Sequence, residues 1–543
     1  MTIGTWVREN KREVTVFLVF LVVYCGSITL NYSLSHDSTY YLNDIEYGPW
    51  IFHPHHLLFH IVAKMWMHMV GVLPFAGGLD IAYRVGTLNA VFGSLTLATL
   101  VHFAERTLRL PRFTTNVLIA LIGFSFTFWY YSGCAEVYII PLFFIVRSII
   151  ALHAFAGRTG SLTTVVVWVS LATLFHQSNI ILFGTLFVYV ALFRRDALVS
   201  GVARGLLTSF LIIGLPYLYA GCVYYGHTSY HDYTHWLFLY SEDLPEYWTP
   251  LGPKMIVSDA IGFARTFYST FFLYSIAPLK DLLVRVFRDQ WLGEEIFLVR
   301  NMNPAVGVLN LLSVAVSALT VIIFMVVNRS RANVNRRRHK DLVVILGLYA
   351  LTLSAFFTFW SSTNPEFWIP QNLIFWMTFV LLFFDDGIRS HRVVAAVVIS
   401  SLLLVNFFGG IVYSKDKSND MYYQRLHGIL EQRDSDPLVI SLNSGVMKDY
   451  LVRYKVKRFF CIEEAHRKSY KDTADLKTAM DSLIAGNTNG VTYATSEIMN
   501  PEPGKYPQEL LDFLKGYWNR PYLRVEARKA GADDAYYVLR ETR

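Results

Sequence analysis

Residues Val14–Leu30 read VTVFLVFLVVYCGSITL, and the chain then turns polar at Ser35-His36-Asp37-Ser38-Thr39-Tyr40-Tyr41. About 20 apolar residues in a helix cross the hydrocarbon core of a bilayer, so this stretch predicts a membrane span. No small-residue cleavage site follows it, and it is read as a retained first span rather than a signal peptide. Arg8, Lys11 and Arg12 precede it and place its start in the cytoplasm, because cytoplasmic loops collect Lys and Arg. The polar residues after it therefore face the other side. Ionisable groups at a membrane boundary are costly to keep and are functional candidates by default, which makes the Asp37 loop the first place to look for chemistry.

The pattern repeats along the chain. Hydrophobic residues are 54% of the 543 and charged residues 16%, against about 25% in soluble domains. The expected fold class is an α-helical polytopic membrane protein of about 11 transmembrane helices with a C-terminal soluble α/β domain. Much of the net charge of +7 sits in short loops between spans, where it orients the protein instead of binding nucleic acid. Cys25, Cys134, Cys222 and Cys461 have no metal-like spacing and suggest no disulfide framework.

Lys/Arg bias assigns the sides. The second span, 81–103, returns to the basic loop Glu105–Arg112; 113–131 goes out and 137–156 comes back to Arg158. The apolar run Leu162–Phe193 is too long for one span, and His176-Gln177-Ser178-Asn179 divides it into two short ones with the break outside. The seventh span is 205–223, and the eighth, 304–327, leads into the most basic loop, Arg329–Lys340. Parity then requires that the apolar piece Ile261–Ile276, inside an external segment 224–302, does not cross, so it is read as a re-entrant or interfacial helix. Spans 342–360, 368–384 and 393–413 complete the transmembrane domain, 1–413, whose first external loop is 34–80. Composition changes at Ser414. Residues 414–543 predict an extracytoplasmic α/β domain with strands at Leu438–Leu442, Arg458–Ile462 and Tyr536–Leu539, and helices ending near Arg453 and at Asp472–Ala485 and Pro507–Trp518. Asn443-Ser444-Gly445 reads as an ordinary turn, or as a phosphate-binding helix start. The expected location is the inner or plasma membrane of a bacterium.

This topology brings four polar turns to one face: the Asp37 loop, Cys134–Tyr138 with Glu136, His176-Gln177, and Asn364–Trp368 with Glu366. A site at the outer interface is expected there, roofed by 224–300 and the C-terminal domain. Asp37 can deprotonate an acceptor hydroxyl or amine, and can equally cap a helix that starts at Ser38. Asp44 and Glu46 read as solvated acids. His53, His55, His56 and His60 are the densest histidine group. Pro54 splits them and no carboxylate stands at ligand spacing, so contacts to a phosphate or sugar are favoured over a metal; the polar side of an interfacial helix is the other reading. Arg84 and Arg265 are candidate phosphate donors, although Arg84 can also snorkel to headgroups. His176 can equally be a buried structural histidine, and Glu366 a loop acid. No Walker loop, dinucleotide fingerprint or HExxH occurs. A transferase outside the cytoplasm meets no nucleotide sugars, so a membrane-borne activated donor is the physically sensible supply.

Several segments, in order, resemble the GT-C superfamily of integral-membrane glycosyltransferases, which includes protein O-mannosyltransferases and lipid A aminoarabinose transferases. They are His36-Asp37-Ser38, Phe52-His-Pro-His-His-Leu-Leu58, Arg84-Val-Gly-Thr-Leu-Asn-Ala-Val-Phe-Gly93, Phe128-Trp-Tyr-Tyr-Ser-Gly-Cys-Ala-Glu-Val-Tyr138, Phe175-His-Gln-Ser178 and Asn364-Pro-Glu-Phe-Trp368. The similarity covers about residues 10–410. His55 stands where many relatives have a second proline, and Asp37 lacks an adjacent Glu. The resemblance implies transfer of a monosaccharide from a polyprenyl-phosphate donor to a protein, glycan or lipid acceptor on the outer face, usually with inversion. It implies Asp37 as base, Arg84, Arg265, His53, His55 and His56 at the donor phosphate, and Glu136, His176 and Glu366 at the sugar or acceptor. No metal ligand is assigned, and a divalent metal is not favoured. The competing readings are a transporter or flippase of a lipid-linked sugar, and a non-catalytic membrane scaffold.

Overall fold

The computed structural model describes residues 8–541 except 49, 74–78, 239–247, 249, 288–291, 385–388, 432–436, 443–444, 470–471, 488–490, 500, 502–505, 521–522 and 530–534. The candidate phosphate turn at Asn443-Ser444 lies outside the described residues. The chain divides into two compact units: Met1–Leu30, Asp44–Arg288 and Asn301–Lys415 form the first, and Asn31–Asn43, Asp289–Arg300 and Asp416–Arg543 the second.

The first unit is helical. Among the described residues, seven helices are long and apolar enough to cross a membrane: Ile81–Thr107, Ile139–Ala156, Arg195–Tyr224, Pro304–Val327, Lys340–Phe357, Pro365–Phe383 and Ser390–Ser414. Arg112–Gly123 and Phe126–Ser132 form an eighth span if their 69° bend is counted within one crossing. Leu162–Phe175 and Gln177–Phe193 are the two short apolar helices expected on either side of His176, and Lys11–Gly26 is the N-terminal helix. The protein is a polytopic integral membrane protein.

The bend has a visible physical basis. A break in a helix frees backbone groups, and in a membrane protein these must be satisfied by the protein itself. The Asn406 amide donates to the carbonyls of Phe124 (2.7 Å) and Phe267 (2.9 Å). The Ser125 hydroxyl donates to Leu121 O and accepts from the Trp376 indole, both at 2.8 Å. The N–H groups of Phe126 and Thr127 donate to Phe267 O and Thr266 O. The same contacts reshape the 261–276 piece, which its apolar pattern predicted as one helix. The helix Pro253–Ala264 stops at Arg265, a short turn occupies Phe271–Ser275, and a new helix runs Ala277–Val286. Between them Thr266 and Ser269 are fully buried, and the Ser269 N–H donates to Asn406 Oδ1. Pairing with the bend, rather than local periodicity, decided this backbone.

The second unit is built on a five-stranded sheet: β1 (Leu438–Ser441), β2 (Arg458–Cys461), β3 (Thr492–Ala494), β4 (Leu523–Lys529) and β5 (Ala535–Glu541), in the order β2-β1-β3-β5-β4. β1 pairs in parallel with β2 and β3, while β5 runs antiparallel to β3 and β4. The strands expected near 438, 458 and 536 are present; β3 and β4 were not anticipated. Helices Thr473–Ala485 and Gln508–Trp518 bury Leu476, Met480, Leu510 and Leu514 against Ile440 and Leu539 of the sheet. Earlier parts of the chain join this unit through polar contacts. Tyr422 Oη donates to Glu294 Oε1 at 2.8 Å, and an Arg300 guanidinium N–H donates to Ser418 O at 2.6 Å.

Candidate active site

Within the first unit the histidines of two distant segments meet. Pro54 opens a short 3-10 turn, Pro54–His56, with His53 as its cap, and the His55 N–H donates to His53 Nδ1 at 3.3 Å. That tight turn stacks the His53 and His56 rings at 4.5 Å, 7° from parallel. Tyr217 Oη pins Pro54 O (2.6 Å), Tyr225 Oη accepts from Phe52 N (3.1 Å), and Leu58 N donates to Leu174 O (3.0 Å). His60 lies 6.1 Å from His56, ring to ring, with Nδ1 2.9 Å from Trp50 O. A carbonyl only accepts, so His60 Nδ1 carries the proton.

His176, in the extended break after Leu162–Phe175, comes from the other side. Its ring is 5.9 Å from His56 and 5.4 Å from Tyr138, and its Nδ1 is 2.7 Å from Ser178 Oγ. Tyr138 continues the chain of contacts to Tyr131 (5.5 Å) and Phe367 (5.7 Å), and Tyr131 Oη donates to Glu366 Oε2 at 3.0 Å. Glu136 is buried and also acts electrostatically on Tyr131. Its turn is fixed by Asn89, whose amide donates to Cys134 O (2.7 Å) and Glu136 O (2.6 Å). Of the residues expected from sequence, His53, His55, His56, His176, Glu136 and Glu366 are thus brought into one contiguous set. Tyr131, Tyr138, Ser178 and Asn89 belong to it and were missed as functional candidates. The two tyrosines flank Glu136 in the Phe128–Tyr138 segment, which was the available signal.

The remaining candidates are placed as follows. Arg84 stands in the first turn of Ile81–His102, and its Nη1 lies 3.2 Å from where a side chain on Gly71 would begin. Gly71 is at the far end of Phe59–Gly71 from His60, about 16 Å away at 1.5 Å per helical residue. Arg265 caps Pro253–Ala264 and is half-buried. Asp37 belongs to the second unit, exposed in the first turn of the helix His36–Tyr47, with Tyr41 Oη 3.4 Å from its Oδ2.

Burial pushes His55 and His60 down to about 4 and His176 down to about 3; for His60 the Trp50 carbonyl pulls weakly the other way, and for His176 the neighbouring His55 adds to the fall. His53 and His56 are lowered by burial and then by the surrounding imidazoles. At neutral pH these rings are uncharged, so they offer directional hydrogen bonds and no net cation. Among the described residues no group of three His, Cys, Asp or Glu is arranged to hold a metal ion. Beside the rings is a cavity of about 630 Å³, within the roughly 300–1,000 Å³ usual for ligand sites. His55, His176, Ser178 and Tyr217 interrupt a wall otherwise dominated by side chains such as Ile180, Phe210, Leu218, Trp248, Phe357 and Trp360.

The chain matches the structure of ArnT from Cupriavidus metallidurans bound to undecaprenyl phosphate with a TM-score of 0.53 and 10% identity, over 99% of this chain and 98% of that one. The apo form of that ArnT matches with a TM-score of 0.42, and the oligosaccharyltransferase of Archaeoglobus fulgidus, in complex with zinc and sulfate, with 0.48, at 12% identity over 96% of this chain and 72% of that one. No family model and no curated protein matches the sequence.

Proposed function

We propose that this protein is a glycosyltransferase that moves a monosaccharide from a polyprenyl-phosphate donor to an acceptor on the extracytoplasmic face. The observation that carries the reading is the apolar cavity interrupted by neutral, buried histidines. A polyprenyl-phosphate sugar is itself mostly hydrocarbon with a compact polar head. The imidazoles and Ser178 suit its phosphate or sugar oxygens, and the aromatic walls suit its chain. The GT-C fold and the ordered short motifs point the same way. Asp37 is the general base: it takes the proton of the acceptor, the acceptor heteroatom bonds to the anomeric carbon, and the bond from that carbon to the lipid phosphate breaks with its electron pair leaving on phosphate. Arg84 and Arg265, which stand outside the histidine set, are the candidate cations for the donor phosphate. Glu136 and Glu366, the latter oriented by Tyr131, hold sugar hydroxyls or the acceptor.

The test is transfer by purified protein from polyprenyl-phosphate monosaccharides to a cell extract. Asp37→Asn should lower transfer by at least about 100-fold, the scale of general-base catalysis, while donor binding persists. Transfer unchanged in that variant would sink the base assignment. Donor translocated in vesicles with no glycosidic product would favour the flippase.

A further inference from the structure

Asp37 is exposed, yet the segment that carries it is tied down at both ends inside the second unit. At its start, the backbone N–H of Tyr32 donates to Asp420 Oδ2 at 2.8 Å. The same oxygen accepts the hydroxyl of Tyr450 at 2.6 Å, and Oδ1 caps the helix Met421–Leu430 by accepting from Tyr423 N at 2.9 Å. At its end, the Asn43 amide donates to the carbonyl of Asp449, the neighbour of Tyr450, at 2.9 Å. The Tyr32 ring also meets Tyr450 edge-on at 6.2 Å. One helix of the C-terminal domain, Val446–Arg453, therefore grips both ends of the Asn31–Asn43 segment, and Asp420 is the hub at one of them.

We propose that Asp420 is a positioning residue for the candidate base, fixing the Asp37 segment to the C-terminal domain through Tyr32 and Tyr450. This rests on the reading of Asp37 given above and gives the C-terminal domain a role in the reaction: it is the mount of the base. Asp420 has no exposed surface, and burial pushes its carboxyl up to about 6 despite the donors around it. A fully buried carboxylate is a costly way to hold a loop, and removing it leaves the donors on Tyr32, Tyr423 and Tyr450 without their acceptor.

Two measurements on the full-length protein test this. The first, hydrogen–deuterium exchange of the 31–43 peptide, does not involve activity. Asp420→Ala should speed its exchange about tenfold, Tyr450→Phe, which removes one hydroxyl and keeps the ring, should speed it less, and Asp420→Asn should restore part of the protection because its amide oxygen can still accept from Tyr32. The second is steady-state transfer, where kcat should fall at least about tenfold in Asp420→Ala with donor KM nearly unchanged, in the same rank order of variants. Unaltered exchange in both Asp420→Ala and Tyr450→Phe overturns the clamp whatever Asp37 does. Faster exchange with unchanged kcat overturns the positioning role. Full transfer by Asp37→Asn removes the base reading instead, and leaves the exchange result standing as a structural tie.

Discussion

At the residue scale the site depends on side chains whose ionisation is set by their surroundings. His55 and His176 have folded-state values of about 4 and 3, below the ordinary histidine value of 6.5. With the folded value depressed, the unfolded chain binds more protons as pH falls below 6.5, so the stability these groups contribute is full above 6.5 and is lost progressively toward 4. Thermal unfolding in detergent should therefore show Tm falling between pH 7 and pH 4.5, and His55→Asn should flatten part of that fall. A Tm independent of pH over that range would contradict the buried neutral state. The Tyr131–Glu366 bond permits a second check: a hydrogen bond to a charged group contributes about 1.5–3 kcal/mol, so Tyr131→Phe should lower stability by that order and weaken sugar transfer, and unchanged Tm and transfer would show that the bond does not orient Glu366. His53-Pro54-His55-His56 was visible as a cluster in the sequence, but its ring contact with His176 across more than a hundred residues was not.

At the scale of elements, most apolar helices and the break at His176 were legible, and the other interruptions were not. Hydropathy locates a helix because every buried backbone group in lipid must be paired within it, which makes apolar length a reliable signal. The break after Gly123 and the loss of helix at Arg265–Thr270 depend on Asn406 and Ser125, which no local pattern connects to them. β4 was missed although Leu523-Arg524-Val525-Glu526-Ala527 alternates as an edge strand does; β3 has three residues and too little pattern to read. Gly262 is a test of how the elements near Glu366 fit. A side chain there would run into the Ser362 carbonyl and the Trp368 indole. Gly262→Ala should cost about 1–3 kcal/mol by overpacking and reduce transfer by displacing the Ser362–Trp368 turn; wild-type Tm and activity would show that the helix can shift freely.

At the scale of the whole molecule, the C-terminal unit is discontinuous in sequence. Composition drew a boundary at Ser414, but the compact unit also holds Asn31–Asn43 and Asp289–Arg300. A fragment of residues 416–543 lacks the Tyr32 N–H that Asp420 binds and the Glu294 carboxylate that Tyr422 binds. Its helix Met421–Leu430 should exchange amide hydrogens at least about tenfold faster than in the full chain, since each lost bond to a charged group is worth around 1.5–3 kcal/mol. Equal protection would show that the C-terminal segment folds without the other two. The sequence by itself determined the membrane class and most of the apolar helices, because apolar length and residue type are local properties that burial in lipid must respect. Only the tertiary structure decided which histidines touch, where a span bends, and that the Asp37 segment is mounted on the C-terminal domain, because those outcomes depend on single polar contacts between residues up to several hundred positions apart, which composition and periodicity do not encode.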